Sequence, residues 1–325
     1  MALRASPFDV RALRILGLSI ARTDETAADP ILTLAGNWSL RDDPSHAWLM
    51  QRRLRQGDYV GSFGHADALA RRREDLRPGI FRYFATAAAE DPRAVPALLQ
   101  RYAVRPNWRP DFFEFLRTAE NGPQVQAALV VGLDDKEGTL SDEEIGTIYM
   151  DWLNVGRIPG LLALRERTGR PAATPVVDGS FEGTSAPMPF RWWIENNPGI
   201  VAMLSEHDQG NALYILTEGF TTANVAAQLL TLRPGPYKLE YISESETDGT
   251  NSSLEWAIIC VESNQQVGLH RVPLSRSKIT SQYYFQVPRN NCSAQWIRLN
   301  SVRLARRTNI GVWIDDLSIQ PEGDQ

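Results

Sequence analysis

Apolar residues return with two different periods along this chain. Up to about residue 168 the period is helical. Ile145, Ile148, Tyr149 and Trp152 fall at i, i+3, i+4 and i+7, and Tyr59, Phe63, Ala66 and Ala70 keep to one face in the same way. From residue 176 onward the period is two. Tyr237, Leu239 and Tyr241 alternate with Lys238 and Glu240, and Leu254, Trp256, Ile258 and Cys260 share a face. The first pattern predicts helices near 7–21, 28–40, 44–56, 59–72, 78–89, 93–103, 109–118, 122–132, 142–155 and 158–168. The second predicts strands near 176–182, 190–195, 199–206, 211–217, 224–232, 236–245, 253–262, 266–272, 281–287, 294–303 and 310–320.

Local punctuation supports the division. Ser6-Pro7, Asp29-Pro30, Asp43-Pro44 and Asp91-Pro92 each read as an N-cap followed by a proline that has no N–H to leave unpaired. Ser141 and Glu144 make a capping box. Short connections such as Gln56-Gly57-Asp58 imply antiparallel helical hairpins. Pro234-Gly235 and Asp248-Gly249 supply strand turns, and Arg170-Pro-Ala-Ala-Thr-Pro175 is the expected joint. The fold class is therefore α+β in two separate domains: helical hairpins over 1–170 and an antiparallel β-sandwich over 171–325, with 178–183 and 311–316 as its first and last strands.

Two resemblances follow. Trp48, Leu54, Gly57, Tyr59, Ala66 and Leu69 resemble a degenerate tetratricopeptide repeat, and residues 7–17 resemble the opening of another. That resemblance implies a concave surface for a protein partner. In the strand half, five pieces stand in the order of a galactose-binding-like jelly roll. They are Asp178-Gly-Ser-Phe-Glu182 with Pro189-Phe-Arg-Trp-Trp193, then Ala227 to Leu239, Tyr284-Phe-Gln-Val-Pro288, Gln295-Trp-Ile-Arg-Leu299 and Val312-Trp-Ile-Asp-Asp-Leu317. Together they resemble the CenC-type carbohydrate-binding modules attached to bacterial glycanases. The pairing with repeat-like helices is similar to proteins of bacterial exopolysaccharide systems.

The resemblance implies a polysaccharide ligand and a pool of contact residues: Trp193, Gln228, Trp256, Tyr284 and Gln295. Flat rings stack on a pyranose, and amides bond its hydroxyls. By parity Trp256 reads as core, and Trp296 and Trp313 are further candidates for the core, whereas Trp193 and Tyr284 read as exposed. The resemblance also implies a structural Ca²⁺ between the first and last strands, held by Glu182 and by Asp315 or Asp316, since a hard cation takes oxygen ligands. Alternation sends Asp315 and Asp316 to opposite faces, so one of them serves. The alternative is an acidic pair at a strand end, solvated or turn-forming.

Composition narrows the remaining classes. The 325 residues carry a formal charge of −5, which argues against nucleic acid. No apolar run reaches the roughly 20 residues a membrane span needs, and the N-terminus lacks a signal-peptide layout. Cys260 and Cys292 are either two buried small hydrophobes or a disulfide between strands. The second reading implies a periplasmic protein whose export signal lies outside this sequence, and the first leaves the cytoplasm open. His46, His65, His207 and His270 have no ligand spacing, and no nucleophile, P-loop or zinc-protease motif occurs. The expectation is a non-catalytic envelope protein, its sandwich on a polysaccharide and its helices on a protein partner. The alternatives are a purely structural module and, third, a glycan-active enzyme with two carboxylates across a groove.

Overall fold

The computed structural model describes residues 6, 8–133, 139–171, 174–208, 210–249 and 252–322. Among these, ten α-helices precede ten β-strands, and no helix follows Pro171. The chain divides between Leu140 and Ser141 into two compact units.

The first unit holds α1 (Val10–Ile20), α2 (Glu25–Trp38), α3 (Asp43–Arg55), α4 (Tyr59–Ala70), α5 (Arg77–Glu90), α6 (Ala94–Ala103), α7 (Arg109–Thr118) and α8 (Gly122–Gly132). Its core is aromatic. Phe63, Phe81, Phe84, Tyr102, Trp108 and Phe112 are all buried, with edge-on pairs such as Phe63–Phe84 at 4.9 Å and Phe81–Phe112 at 5.3 Å. The Trp108 indole donates to Asp67 at 2.7 Å, and Asp67 pairs with Arg71, so the one polar atom of the ring is satisfied inside the core.

The caps differ in part from expectation. Asp9, not Ser6, caps α1, accepting from the Arg11 and Ala12 N–H groups; Pro7 lies outside the described residues. Asp24 caps α2 five residues before Asp29, which leaves Pro30 inside the helix. Asp29 instead meets the Arg53 guanidinium through both oxygens at 2.7 Å, and this holds its carboxyl down at about 2. Asp43-Pro44 does open α3, one residue further in than expected, with Asp42 at the cap position.

The second unit begins with α9 (Asp142–Asn154) and α10 (Ile158–Thr168). The Ser141–Glu144 capping box forms in both directions. This hairpin groups with the strands because it packs on them. The Tyr149 ring meets Phe190 edge-on at 5.5 Å, and the Arg165 guanidinium lies 4.3 Å over the same ring and reaches Thr231. The strands are β1 (Trp193–Ile194), β2 (Ile200–His207), β3 (Gly210–Thr217), β4 (Ala223–Leu230), β5 (Gly235–Ser245), β6 (Leu254–Cys260), β7 (Gln266–Arg271), β8 (Ile279–Val287), β9 (Gln295–Ser301) and β10 (Ile310–Pro321). They form two antiparallel five-stranded sheets, β1-β4-β9-β6-β7 and β2-β3-β10-β5-β8, packed as a sandwich. Leu213, Ile215, Leu239, Tyr241, Val312 and Ile314 of one sheet share a core with Leu254, Trp256, Ile258, Ile297 and Leu299 of the other. Cys260 and Cys292 are disulfide-bonded across 32 residues of chain.

The expected first strand, 176–182, is a turn. The Asp178 carboxylate accepts from the Glu182, Gly183 and Thr184 N–H groups and from the Thr184 hydroxyl, and Asp178 and Phe181 take left-handed φ values of 56° and 54°. A gathered Asp of this kind competes with a strand ladder for the backbone donors. The segment still touches the last strand. β10 bulges between Asp315 and Ser318, where Asp316 has φ 49°, and the freed Leu317 N–H donates to Gly179 O at 2.8 Å. Phe181 then sits fully buried in the same core as Ile314.

Candidate functional site

The residues expected to contact glycan do not share a surface. Trp256 lies in the core with 1% exposure, between Trp192 and Tyr241. Gln228 is fully buried. Its Oε1 accepts from Val177 N–H at 2.9 Å and its Nε2 donates to Val177 O at 2.8 Å, so it clamps the chain entering the sandwich. Gln295 does the same for Leu232 and also donates to Cys292 O at 2.6 Å. These three are interior to the fold and present nothing to a ligand in solvent. Trp193 and Tyr284 do reach solvent, at 42% and 53% exposure, but Trp193 is on β1 of one sheet and Tyr284 on β8 of the other.

Strand register assembles a different set. On the outer face of the second sheet, Met203, Tyr214, Trp313 and Glu244 are cross-strand neighbours in one row. Two further rows carry Ser318, Glu240 and Gln282, then Gln320, Lys238 and Tyr284. Burial alternates along β5, β8 and β10, and these positions take the outward parity. His207 stacks on Trp313 at 4.9 Å with the planes 14° apart, and Tyr214 packs against the same indole at 4.8 Å. The His207 ring is within 3.1 Å of the Glu244 carboxylate. Lys238 pairs with Glu240 at 3.1 Å, and Glu240 also accepts from Gln282 at 2.6 Å. The face is therefore an aromatic row beside a band of amides and charged groups whose orientations are fixed by one another.

Tyr214, Trp313, His207 and Gln282 were missed in the sequence. Val312-Trp-Ile314 reads as a continuous apolar run, and Trp313 reads as core with it. The available signal was parity: with Val312 and Ile314 inward, Trp313 has to point outward.

Acidic groups gather at one end of this face, where Ser180, Glu182, His207, Asp208, Asp315 and Asp316 line an open hollow with Lys278. Burial pushes the Asp315 carboxyl up, and the nearby Asp316 and Glu182 charges add to it. Lys278 pairs with Asp208. A calcium ion here would share these carboxylates with hydrogen bonds they already accept. Glu182 gives both oxygens to Asn211, at 3.2 Å to its N–H and 3.1 Å to its amide, and Asp315 accepts from Asp316 N–H. Among the described residues no three His, Cys, Asp or Glu side chains converge as a metal-ligand group.

No family model matches the chain, and neither does any curated protein. Among solved structures, a CBM4 module is similar over 45% of this chain and 99% of its own length, at 16% identity and a TM-score of 0.34. A family 16 carbohydrate-binding module is similar over 45% and 99%, at 15% identity and 0.33. The CBM22-1 xylan-binding domain from Paenibacillus barcinonensis is similar over 45% and 94%, at 9% identity and 0.33. At these scores the likenesses add nothing to the fold assignment, which rests on the strand order and pairings.

Proposed function

We propose that the sandwich is a non-catalytic polysaccharide-binding module whose ligand lies along the outer face of the second sheet. One observation carries the reading. Register brings Tyr214, Trp313 and Tyr284 to one open face together with Gln282, Glu240 and Lys238, which is the pairing of flat rings and hydrogen-bonding groups that a sugar polymer needs. A row of rings and polar groups along a sheet surface is suited to holding an extended chain. Within this proposal the helices of the first unit, read as degenerate tetratricopeptide-like hairpins, hold a protein partner, and the whole works at a bacterial envelope in exopolysaccharide synthesis or export.

Affinity electrophoresis against neutral and acidic polysaccharides tests the proposal. At least one polymer should retard the protein, and Trp313→Ala or Tyr284→Ala should weaken that retardation roughly tenfold, as expected for a central aromatic contact. Retardation by no polymer, or undiminished retardation of both variants, refutes it.

A further inference from the structure

A second surface of the sandwich carries a different chemistry. An open cleft of about 560 Å³ lies beside the Asp178 turn, within the size range of ligand sites. Its apolar side includes Trp193, Ile194 and Leu204, and its polar side Arg191, Thr184 and Ser185. Trp193 and Leu204 are exposed at 42% and 38%, and Arg191 is exposed beside them. Trp192 turns inward and donates to Asp178 O, which is what sends Trp193 outward.

The electrostatics of this cleft are unlike those of the sheet face. Asp178 is the acidic residue lining it, and each of its oxygens already accepts two hydrogen bonds from the turn. It makes no ion pair among the described residues, and neither does Arg191. The Thr184 and Ser185 hydroxyls donate to Asp178 and Asp142, so their protons are engaged and their lone pairs are left to accept. An exposed indole, a guanidinium without an ion pair among the described residues and two accepting hydroxyls thus meet in one hollow.

We infer that this cleft binds an anionic sugar, specifically a uronate unit of an acidic polysaccharide. The guanidinium fork matches a carboxylate through two parallel N–H···O bonds, the indole takes the apolar face of the ring, and Thr184 and Ser185 accept from its hydroxyls. The inference rests on the sandwich being a glycan binder, and it adds a second site with its own ligand class.

The test uses the full chain with polygalacturonate, dextran sulfate and a panel of neutral polysaccharides. Polygalacturonate should retard the protein. Arg191→Gln should weaken that binding roughly fivefold, the scale of one exposed charge pair, and Trp193→Ala should weaken it more. Both side chains are exposed, and an unchanged melting temperature checks that each variant folds. Arg191→Gln binding polygalacturonate like the parent protein overturns the inference. So does loss caused by Trp313→Ala rather than by Arg191→Gln, which would put the uronate on the sheet face. Equal retardation by dextran sulfate means ion exchange and also overturns it. Binding of neutral polymers without polygalacturonate removes the uronate site and leaves the sheet-face reading standing, whereas binding of no polymer removes both.

Discussion

Lowering the pH from 7 to 4.5 should destabilise the helical unit through a pair of buried histidines. Two of the chain's four histidines meet there, His46 on α3 and His65 on α4, with their Nδ1 atoms 3.0 Å apart. The His46 Nε2 lies 3.3 Å from Ser39 O, a carbonyl that can only accept, so this nitrogen carries the proton. The His46 Nδ1 is then a bare acceptor, and the His65 Nδ1–H donates to it. A second proton on His46 would set two N–H groups against each other. Burial lowers the affinity of both rings for protons. For His46, Arg72 works in the same direction, against Ser39, Asp42 and Asp43. For His65, its partner ring, Arg53 and Arg101 do so against Asp58, and its value falls from 6.5 to about 4. The unfolded chain therefore binds protons first. Stability is complete above pH 6.5 and is lost as the pH falls toward 4. At 1.36 kcal/mol per pH unit the His65 shift corresponds to about 3.4 kcal/mol, and solvent screening of this part-exposed ring reduces that to roughly 1.5–2 kcal/mol. Thermal unfolding followed at pH 7, 6, 5 and 4.5 should show a fall of roughly 5–8 °C in the helical transition. His65→Asn keeps a donor toward His46 but does not titrate, and it should flatten this dependence. An equal pH slope in parent and variant would refute the reasoning. Asp29, held at about 2, adds its own loss only at more acidic pH.

Three shorter predictions concern the sandwich. Gln228→Leu should cost about 2–3 kcal/mol in denaturant unfolding, because the N–H and C=O of Val177 lose their partner, while polymer affinity per folded molecule stays as it was; loss of affinity at unchanged stability would return Gln228 to the ligand site. Asp315→Asn should raise stability at pH 7, since a part-buried charge beside Asp316 and Glu182 is removed, and millimolar calcium should leave the melting temperature of the parent protein unmoved; a calcium-induced rise that Asp315→Asn abolishes would establish the ion. Reduction of Cys260–Cys292, which closes 32 residues, should cost about 3.7 kcal/mol on the chain-entropy scale, and protein from its native compartment should show no reactive thiol when denatured without reductant; two such thiols would remove the argument for an oxidising compartment.

The fold was largely legible because periodicity is set by local geometry. All ten helices lie where the 3.6-residue pattern placed them, with α7 at 109–118 and α8 at 122–132 matching to the residue. The two local misreadings have a common cause in side chains that choose among competing donors. Asp29-Pro30 has the form of a helix start, yet Asp24 captures the free N–H groups first and Asp29 turns to Arg53. Asp178 gathers its own turn and prevents a strand at 176–182. The helix pair over 142–168 joins the strand unit through Phe190, a ring distant in sequence, and no local pattern announces that contact.

The candidate site was less legible, and Gln228 beside Gln282 shows why. Both are glutamines on strands of the sandwich, and both are chemically fit to bond a sugar hydroxyl. Gln228 is spent on Val177 because β4 lies beside the incoming chain, whereas Gln282 takes the outward parity of β8 and meets Glu240 across the strand pair. The aromatics divide in the same way: Trp256 takes the inward parity of β6 and fills the core, and Trp313 takes the outward parity of β10, stacking with His207 and packing against Tyr214. A one-residue slip in either strand would exchange these roles. Residue type supplied the candidates for binding. Register and strand order decide which of them meet a ligand, and both arise from long-range pairings such as β3 with β10 that a local reading of the chain does not contain.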